Sequence, residues 1–143
     1  NQHNTRNILQ CDRIMKKNNI ETLTYELEWN RFDSEYYRQV IHEISVKGMD
    51  FDGVFAVDRM AIECMNEAIR NHRKVPRDVK IVAYDGTFIT ELVEPQMTAV
   101  VQPIEKLAEE SVRLLNDLIK GVKYKNKQIM LEVTLRKGNT TIT

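Results

Sequence analysis

The stretch Lys74-Val75-Pro76-Arg77-Asp78-Val79-Lys80-Ile81-Val82-Ala83-Tyr84-Asp85-Gly86 decides the fold of this chain. Val79, Ile81 and Val82 make a short β-branched run ending in Tyr84. Bounded by Pro76 and Gly86, that run predicts a buried strand. Asp85-Gly86 follows at its carboxyl end, the edge of an open α/β sheet where ligands are held. Asp85 there would offer a carboxylate to hydroxyl groups. Asp-Gly is also a common turn pair, and on this stretch alone the turn is the plainer reading.

Working outward, Val54-Phe55-Ala56-Val57 predicts a preceding strand that ends at Asp58. Asp58 is a good N-cap for the helix that follows. In that helix Ala61, Ile62, Met65, Ala68 and Ile69 recur at helical spacing, and it ends near His72. After the opening stretch, Ile89 to Val93 reads as a short helical turn, Pro95 breaks the chain, and Thr98 to Val101 is a short strand. Pro103 suits the first turn of a long amphipathic helix carrying Ile104, Leu107, Ala108, Leu114, Leu115, Leu118 and Ile119, stopped by Gly121. Ile129, Leu131, Val133 and Leu135 alternate with Met130, Glu132 and Thr134, the strongest strand signal in the chain. Arg136 to Thr143 reads as a polar tail.

Toward the start, Thr5 can cap a helix with Ile8, Leu9, Ile14 and Met15 on its apolar face, ended by Asn18-Asn19. Leu23 to Leu27 alternates as a strand. The loop Glu28 to Phe32 holds the only tryptophan, Trp29. Asp33 or Ser34 caps a helix whose apolar face is Tyr36, Tyr37, Val40, Ile41 and Ile44, closed by Gly48. Alternating strands and helices predict an α/β architecture with a largely parallel, right-handed sheet. The Trp29 loop, Val57-Asp58 and Asp85 then fall at the carboxyl edge of parallel strands and form one wall of a cleft.

Composition narrows the function. The 143 residues suffice for one domain with a core, and 42% are hydrophobic. Lys+Arg and Asp+Glu are both 21, so the net charge is zero and the chain by itself is not expected to bind nucleic acid. No apolar run approaches the roughly 20 residues of a membrane helix, so no membrane partner is expected. Cys11 and Cys64 lack metal-site spacing and fall in helical patterns, which favours reduced thiols and a cytoplasmic location. There is no Gly-rich phosphate loop and no nucleophile elbow. His3, His42 and His72 form no metal set, and Glu109-Glu110 are adjacent on a helix and point apart. No acid–base pair emerges, no cofactor is called for, and an enzyme is not expected. A cleft with a tryptophan and an aspartate reads as a binder, and sugars suit it, with apolar faces to stack and hydroxyls to bond.

Phe55-Ala56-Val57-Asp58-Arg59-Met60-Ala61, then the opening stretch, then Pro95-Gln96-Met97-Thr98-Ala99-Val100-Val101-Gln102-Pro103 resemble, in order, the effector-binding domain of lactose-repressor-type transcriptional regulators. Leu135-Arg136 followed by Thr140-Thr141 is similar to the family's end. Tyr84-Asp85-Gly86-Thr87 is similar to the sucrose-type repressors within it. The resemblance implies an α/β, parallel-sheet, periplasmic-binding-protein-like subdomain with flanking helices. Residues 1–101 would be the C-terminal subdomain of the effector-binding domain. Residues 102–126 would be a crossover helix belonging to the other subdomain, and 127–143 a return strand and tail.

The chain would then be a piece of a longer regulator, a homodimer that senses a small sugar effector and reaches operator DNA through an N-terminal headpiece lying outside this sequence. By the same resemblance Asp85 matches a ligand-hydroxyl acceptor, and Trp29 falls where an aromatic ring lies against the sugar. Val57 stands where an Asn commonly reaches the ligand. Asn7 stands where an Arg usually binds it, with the neighbouring Arg6 as a register shift. Asp58 is expected to cap its helix rather than touch ligand. A periplasmic-type sugar-binding protein for transport would share the fold, with a secretory signal in place of a helix-turn-helix.

Overall fold

The computed structural model describes residues 11–28, 31, 33–46, 51–125 and 128–141. The chain divides into two compact units, Asn1–Phe32 and Asp33–Thr143.

In the first unit, residues 11–17 are helical (α1) and the helix unwinds at Asn18 and Asn19, as expected. Asn19 takes a left-handed φ of 56°, a conformation asparagine tolerates. Asn18 Nδ2 donates to the Ile14 carbonyl at 2.8 Å, which satisfies an end-of-helix acceptor. Asp12 accepts hydrogen bonds from Lys16 and Thr22, and these hold its carboxyl below the usual range. The expected strand over Leu23–Leu27 is not formed, because residues 20–28 carry no regular structure. Alternation gives a segment two faces, but a strand also needs a ladder partner for its backbone groups.

The second unit begins with α2 (Ser34–Val46). Asp33 caps it, its Oδ1 accepting from the Tyr36 amide at 2.7 Å. Tyr36, Tyr37, Ile41 and Ile44 are buried, which matches the expected apolar face. Gly48, expected to close this helix, lies outside the described residues. Then follow β1 (Gly53–Val57), α3 (Asp58–Arg70), β2 (Lys80–Asp85), a 3-10 turn (Phe88–Glu91), β3 (Thr98–Val101), α4 (Ile104–Ile119) and β4 (Thr134–Arg136).

The sheet runs β1-β2-β3-β4. β1, β2 and β3 are parallel, with Ala56 beside Ala83 and Ala83 beside Ala99. β4 is an antiparallel edge strand, with Leu135 beside Val100. Because β1 and β2 are parallel, the chain between them must return along the sheet, and α3 makes that return across one face. Side chains alternate along a strand, so Ile81, Ala83 and Ala99 meet Ala61, Met65 and Ala68 of α3 and form the core with Val79 and Met97. Each large side chain so buried contributes about 1.5–3 kcal/mol. Cys64 of α3 is buried in the same layer, and burial, with Glu63 and Glu67 nearby, pushes its thiol up to about 12, which keeps it an inert thiol.

Three expectations are corrected. The strand foreseen over Ile129–Leu135 shrinks to Thr134–Arg136, the part that meets β3, whereas 128–133 run without a ladder. The tail is no loose polar end. Thr140 is fully buried, donating from Oγ1 to the Ile81 carbonyl at 2.6 Å and accepting from the Thr98 amide at 2.9 Å. Its own carbonyl accepts from the Ile81 amide at 3.0 Å, so the tail continues the hydrogen bonding at the amino end of β2. Asp58 is the first residue of α3, with Val57 at the N-cap and no side-chain cap. Its carboxylate points elsewhere, as the next section describes.

α4 is the outlier. Its N-terminus at Pro103 and its stop at Gly121, with φ 79°, match expectation. No residue of it is buried, and Ile104, Leu107, Leu115 and Leu118 are about half exposed or more.

Candidate functional site

Two strand ends that looked separate in sequence are joined at the carboxyl edge of the sheet. β1 ends at Val57 and hands over to α3 at Asp58, while β2 ends one strand away at Asp85. The buried Asp58 carboxylate spans the gap. Oδ1 accepts from the Gly86 amide at 3.0 Å, and Oδ2 accepts from the Thr87 amide at 2.7 Å and the Thr87 hydroxyl at 2.6 Å. Three donors on one carboxylate compensate its removal from water. The residue expected to cap α3 thus pins the loop that follows Asp85. An Asp after an apolar strand signals both roles alike, so only the neighbouring strand distinguishes them.

Asp85 itself has φ 110°, which a non-glycine residue adopts at a cost. Gly86 follows at φ 66°, and a Cβ there would lie 2.7 Å from the Val101 Cα. Glycine is required at that point because β3 passes too close for any side chain. Asp-Gly is therefore a turn and a strand end at once. On its other side Asp85 is gripped by Gln102, which follows β3. Gln102 Nε2 donates to Asp85 Oδ1 at 2.5 Å, and the Gln102 amide donates to the Asp85 carbonyl at 3.1 Å. Burial raises the Asp85 carboxyl above its ordinary value, the Gln102 hydrogen bond pulls it down, and the Asp58 charge pushes it up again. Gln102 is a functional candidate that sequence reasoning missed, since a glutamine before a proline carries no signal without its neighbour across the sheet.

Below the loop, Arg136 of β4 ties the edge to the 3-10 turn. Its guanidinium bonds the Glu91 carboxylate and the Thr90 hydroxyl, and reaches the Gly86 carbonyl at 3.4 Å. Val57 sits beside this loop at the strand end, 41% exposed, and has no polar group to offer. Phe55 and Tyr84 contact edge-on at 5.8 Å on the sheet face away from α3. Arg59, one residue past Asp58, stacks over the Tyr37 ring at 5.1 Å and donates to the Ser34 hydroxyl. Of the residues singled out from sequence, Asp85 and Val57 are thus brought to one edge. Trp29, Asn7 and Arg6 lie outside the described residues. His42 and His72 are exposed, and among the described residues no group of three or more His, Cys, Asp or Glu side chains is placed to hold a metal ion. Among those residues no helix is long and apolar enough to cross a membrane.

A half-buried carboxylate with one oxygen engaged, on a backbone fixed from both sides, can accept hydrogen bonds from a polyhydroxylated ligand. Among the described residues its side-chain hydrogen-bond partner is the Gln102 amide, which does not transfer protons. Comparisons with known proteins place the chain in a family. A family model described as a periplasmic binding protein-like domain matches residues 3–141. The chain is 32% identical over 124 residues to the HTH-type transcriptional regulator MalR of Clostridium butyricum, covering 86% of this chain and 37% of that protein. It is 36% identical over 96 residues to the HTH-type transcriptional regulator CelR of Thermobifida fusca, covering 66% and 28%. These relatives are named as regulators, not enzymes, and the chain spans about a third of their length.

Among solved structures, the complex of the regulator CelR with cellobiose superposes with a TM-score of 0.75 at 29% identity, covering 88% of this chain and 39% of that one. The Lac repressor bound to ONPG in its repressed state gives 0.81 at 25% identity, covering 94% and 40%. The regulator CcpA of Lactococcus lactis gives 0.82 at 21% identity, covering 97% and 51%, a likeness of fold. The chain belongs to the periplasmic binding protein-like domain family, in the branch of lactose-repressor-type regulators.

Proposed function

We propose that this chain is the effector-sensing portion of a cytoplasmic, DNA-binding transcriptional repressor, and that its effector is a small sugar. The observation that carries the reading is Asp85, a half-buried carboxylate held at the carboxyl edge of a parallel sheet with one oxygen bonded to Gln102. Asp85 would accept hydrogen bonds from sugar hydroxyls. Trp29 would supply the aromatic face, Val57 an apolar contact in place of an amide, and Asn7 or Arg6 a further polar contact. Ligand would favour one closure of two subdomains, and that difference in affinity would alter operator binding. No catalytic step is part of the reading.

Within the whole protein, residues 1–101 would form most of one subdomain, 102–126 would cross to the other, and 127–143 would return. The exposed apolar face of α4 supports this division, since a soluble protein rarely leaves such a stripe uncovered. A second subdomain would cover it. Operator DNA would be met by a headpiece outside this sequence, in a homodimer. The regulator names of the relatives weigh for this reading over a transport protein.

The test is calorimetric titration of the complete protein with cellobiose, lactose and sucrose. Asp85→Ala should cost about 1.5–3 kcal/mol of binding, the usual loss for a hydrogen bond to a charged group. Trp29→Ala should weaken binding as well, through lost apolar contact. Undiminished affinity in the folded Asp85→Ala protein would move the site elsewhere and leave Asp85-Gly86 as a turn alone.

A further inference from the structure

Asp85 is held from two directions by residues that come from different strand ends. Asp58, at the β1–α3 junction, takes the amides of Gly86 and Thr87 and the Thr87 hydroxyl. Gln102, just beyond β3, bonds both the carboxylate and the carbonyl of Asp85. Between these two grips lies Asp85 at φ 110°, which a non-glycine residue keeps only when its surroundings over-determine it, followed by Gly86 at φ 66°, which glycine adopts freely. Resting on the ligand-binding reading of Asp85, we propose that Asp58 and Gln102 are positioning residues. Asp58 clamps the loop and Gln102 clamps the carboxylate, so that the second oxygen of Asp85 is presented to the ligand in one fixed direction.

Three consequences follow from that geometry. Gln102 takes one lone pair of Oδ1, so Oδ2 is the more open oxygen and the one presented to the ligand. Gln102 is also the link to Pro103 and α4, so the ligand contact and the segment leaving the sheet are bonded to each other. Finally, the two clamps act on the Asp85 charge in opposite senses. The Gln102 hydrogen bond favours the ionised carboxylate, while the Asp58 charge opposes it. Among the described residues, Arg136 also stands beside the loop, paired with Glu91, and reaches the Gly86 carbonyl rather than the Asp85 carboxylate.

Binding to ionised Asp85 weakens as pH falls through its pKa, so each clamp leaves a separate mark on the acid limb of a pH profile. The experiment titrates cellobiose, lactose and sucrose into the complete protein between pH 4 and pH 8, alongside a carbon-13 NMR titration of the Asp85 carboxyl. Gln102→Leu should weaken binding about tenfold, in line with the loss of a charge-assisted hydrogen bond. It should also move the acid limb and the carboxyl titration to higher pH. Asp58→Asn should weaken binding too, but move both to lower pH, because a like charge is removed. Should Asp58→Asn fail to fold, Thr87→Val removes a single hydroxyl donor to Asp58 from an exposed position. It should speed hydrogen exchange at the Gly86 and Thr87 amides and weaken binding severalfold. If Asp85→Ala abolishes binding while Gln102→Leu leaves affinity, acid limb and carboxyl titration unchanged, the clamp is wrong and the ligand site stands. If none of the three sugars binds the unaltered protein, or Asp85→Ala binds as well as it does, the site reading itself falls.

Discussion

α3 and α4 both place apolar residues at helical spacing, yet α3 buries Met60, Ala61, Cys64, Met65 and Ala68 whereas α4 buries nothing. The difference lies in the strands they connect. α3 joins β1 to β2, which are parallel, so its path must lie along the sheet and its apolar stripe meets Ile81 and Ala83. α4 lies between β3 and β4, which are antiparallel, so nothing in the strand order obliges the connection to cross the sheet face. An apolar stripe therefore states that a helix needs a cover. The topology on either side states which surface provides it.

The comparison is broken most directly by equal truncations on the two helices. Met65→Ala, at 2% exposure, should cost about 2–5 kcal/mol in denaturant unfolding, through lost burial and a residual cavity. Leu115→Ala, at 60% exposure, should stay within about 0.5 kcal/mol in this 143-residue chain. An equal cost at the two sites would mean that α4 has found a cover, by folding back or by pairing with a second copy, and light scattering across a dilution series would separate those outcomes.

Between these extremes lies the tail. A Cβ at Gly138 would lie 2.4 Å from the Gln96 carbonyl oxygen and 2.6 Å from the Met97 carbonyl carbon. Gly138→Ala should therefore cost about 1–3 kcal/mol, the range for overpacking. A neutral outcome by thermal unfolding would show that the tail can detach from β3 without loss.

The smallest expected effect sharpens the comparison from the covered side, at the turn between α3 and β2. The hydrogen bond from Arg77, then that from the Lys74 amide, lowers the Asp78 carboxyl from 3.8 to about 2. A carboxylate whose pKa is depressed by folding stabilises the fold above its ordinary value, and that contribution is lost as pH falls through about 2. Because the pair is solvent-exposed, the effect is small. It should appear as a loss of melting temperature between about pH 4 and pH 2 that is shallower in Asp78→Asn, and equal slopes would remove the turn from the account.

Much of this architecture was legible in the residues. The β-branched run to Tyr84, the α3 stripe and the Pro103 to Gly121 limits of α4 each rest on local chemistry, and each is found where expected. Leu23–Leu27 and Ile129–Val133 have the same alternation and form no strand, because pairing is a property of two segments. The site divides in the same way. Asp85-Gly86 could be picked out as a strand end carrying a carboxylate, whereas Gln102 and the true work of Asp58 could not.

By itself the sequence determined periodicity, breaks and the residues able to do chemistry, because rotamer preference, backbone freedom at glycine and proline, and side-chain polarity belong to each residue alone. The tertiary structure decided which faces are covered, that Thr140 is part of the sheet's hydrogen bonding rather than a loose end, and that Gln102 bonds Asp85 while Asp58 bonds the Gly86-Thr87 loop that follows it. Those are relations between residues that the chain separates by 17 to 59 positions, and hydrogen bonds at 3 Å exist only once the parallel register of β1, β2 and β3 has set the strand ends side by side.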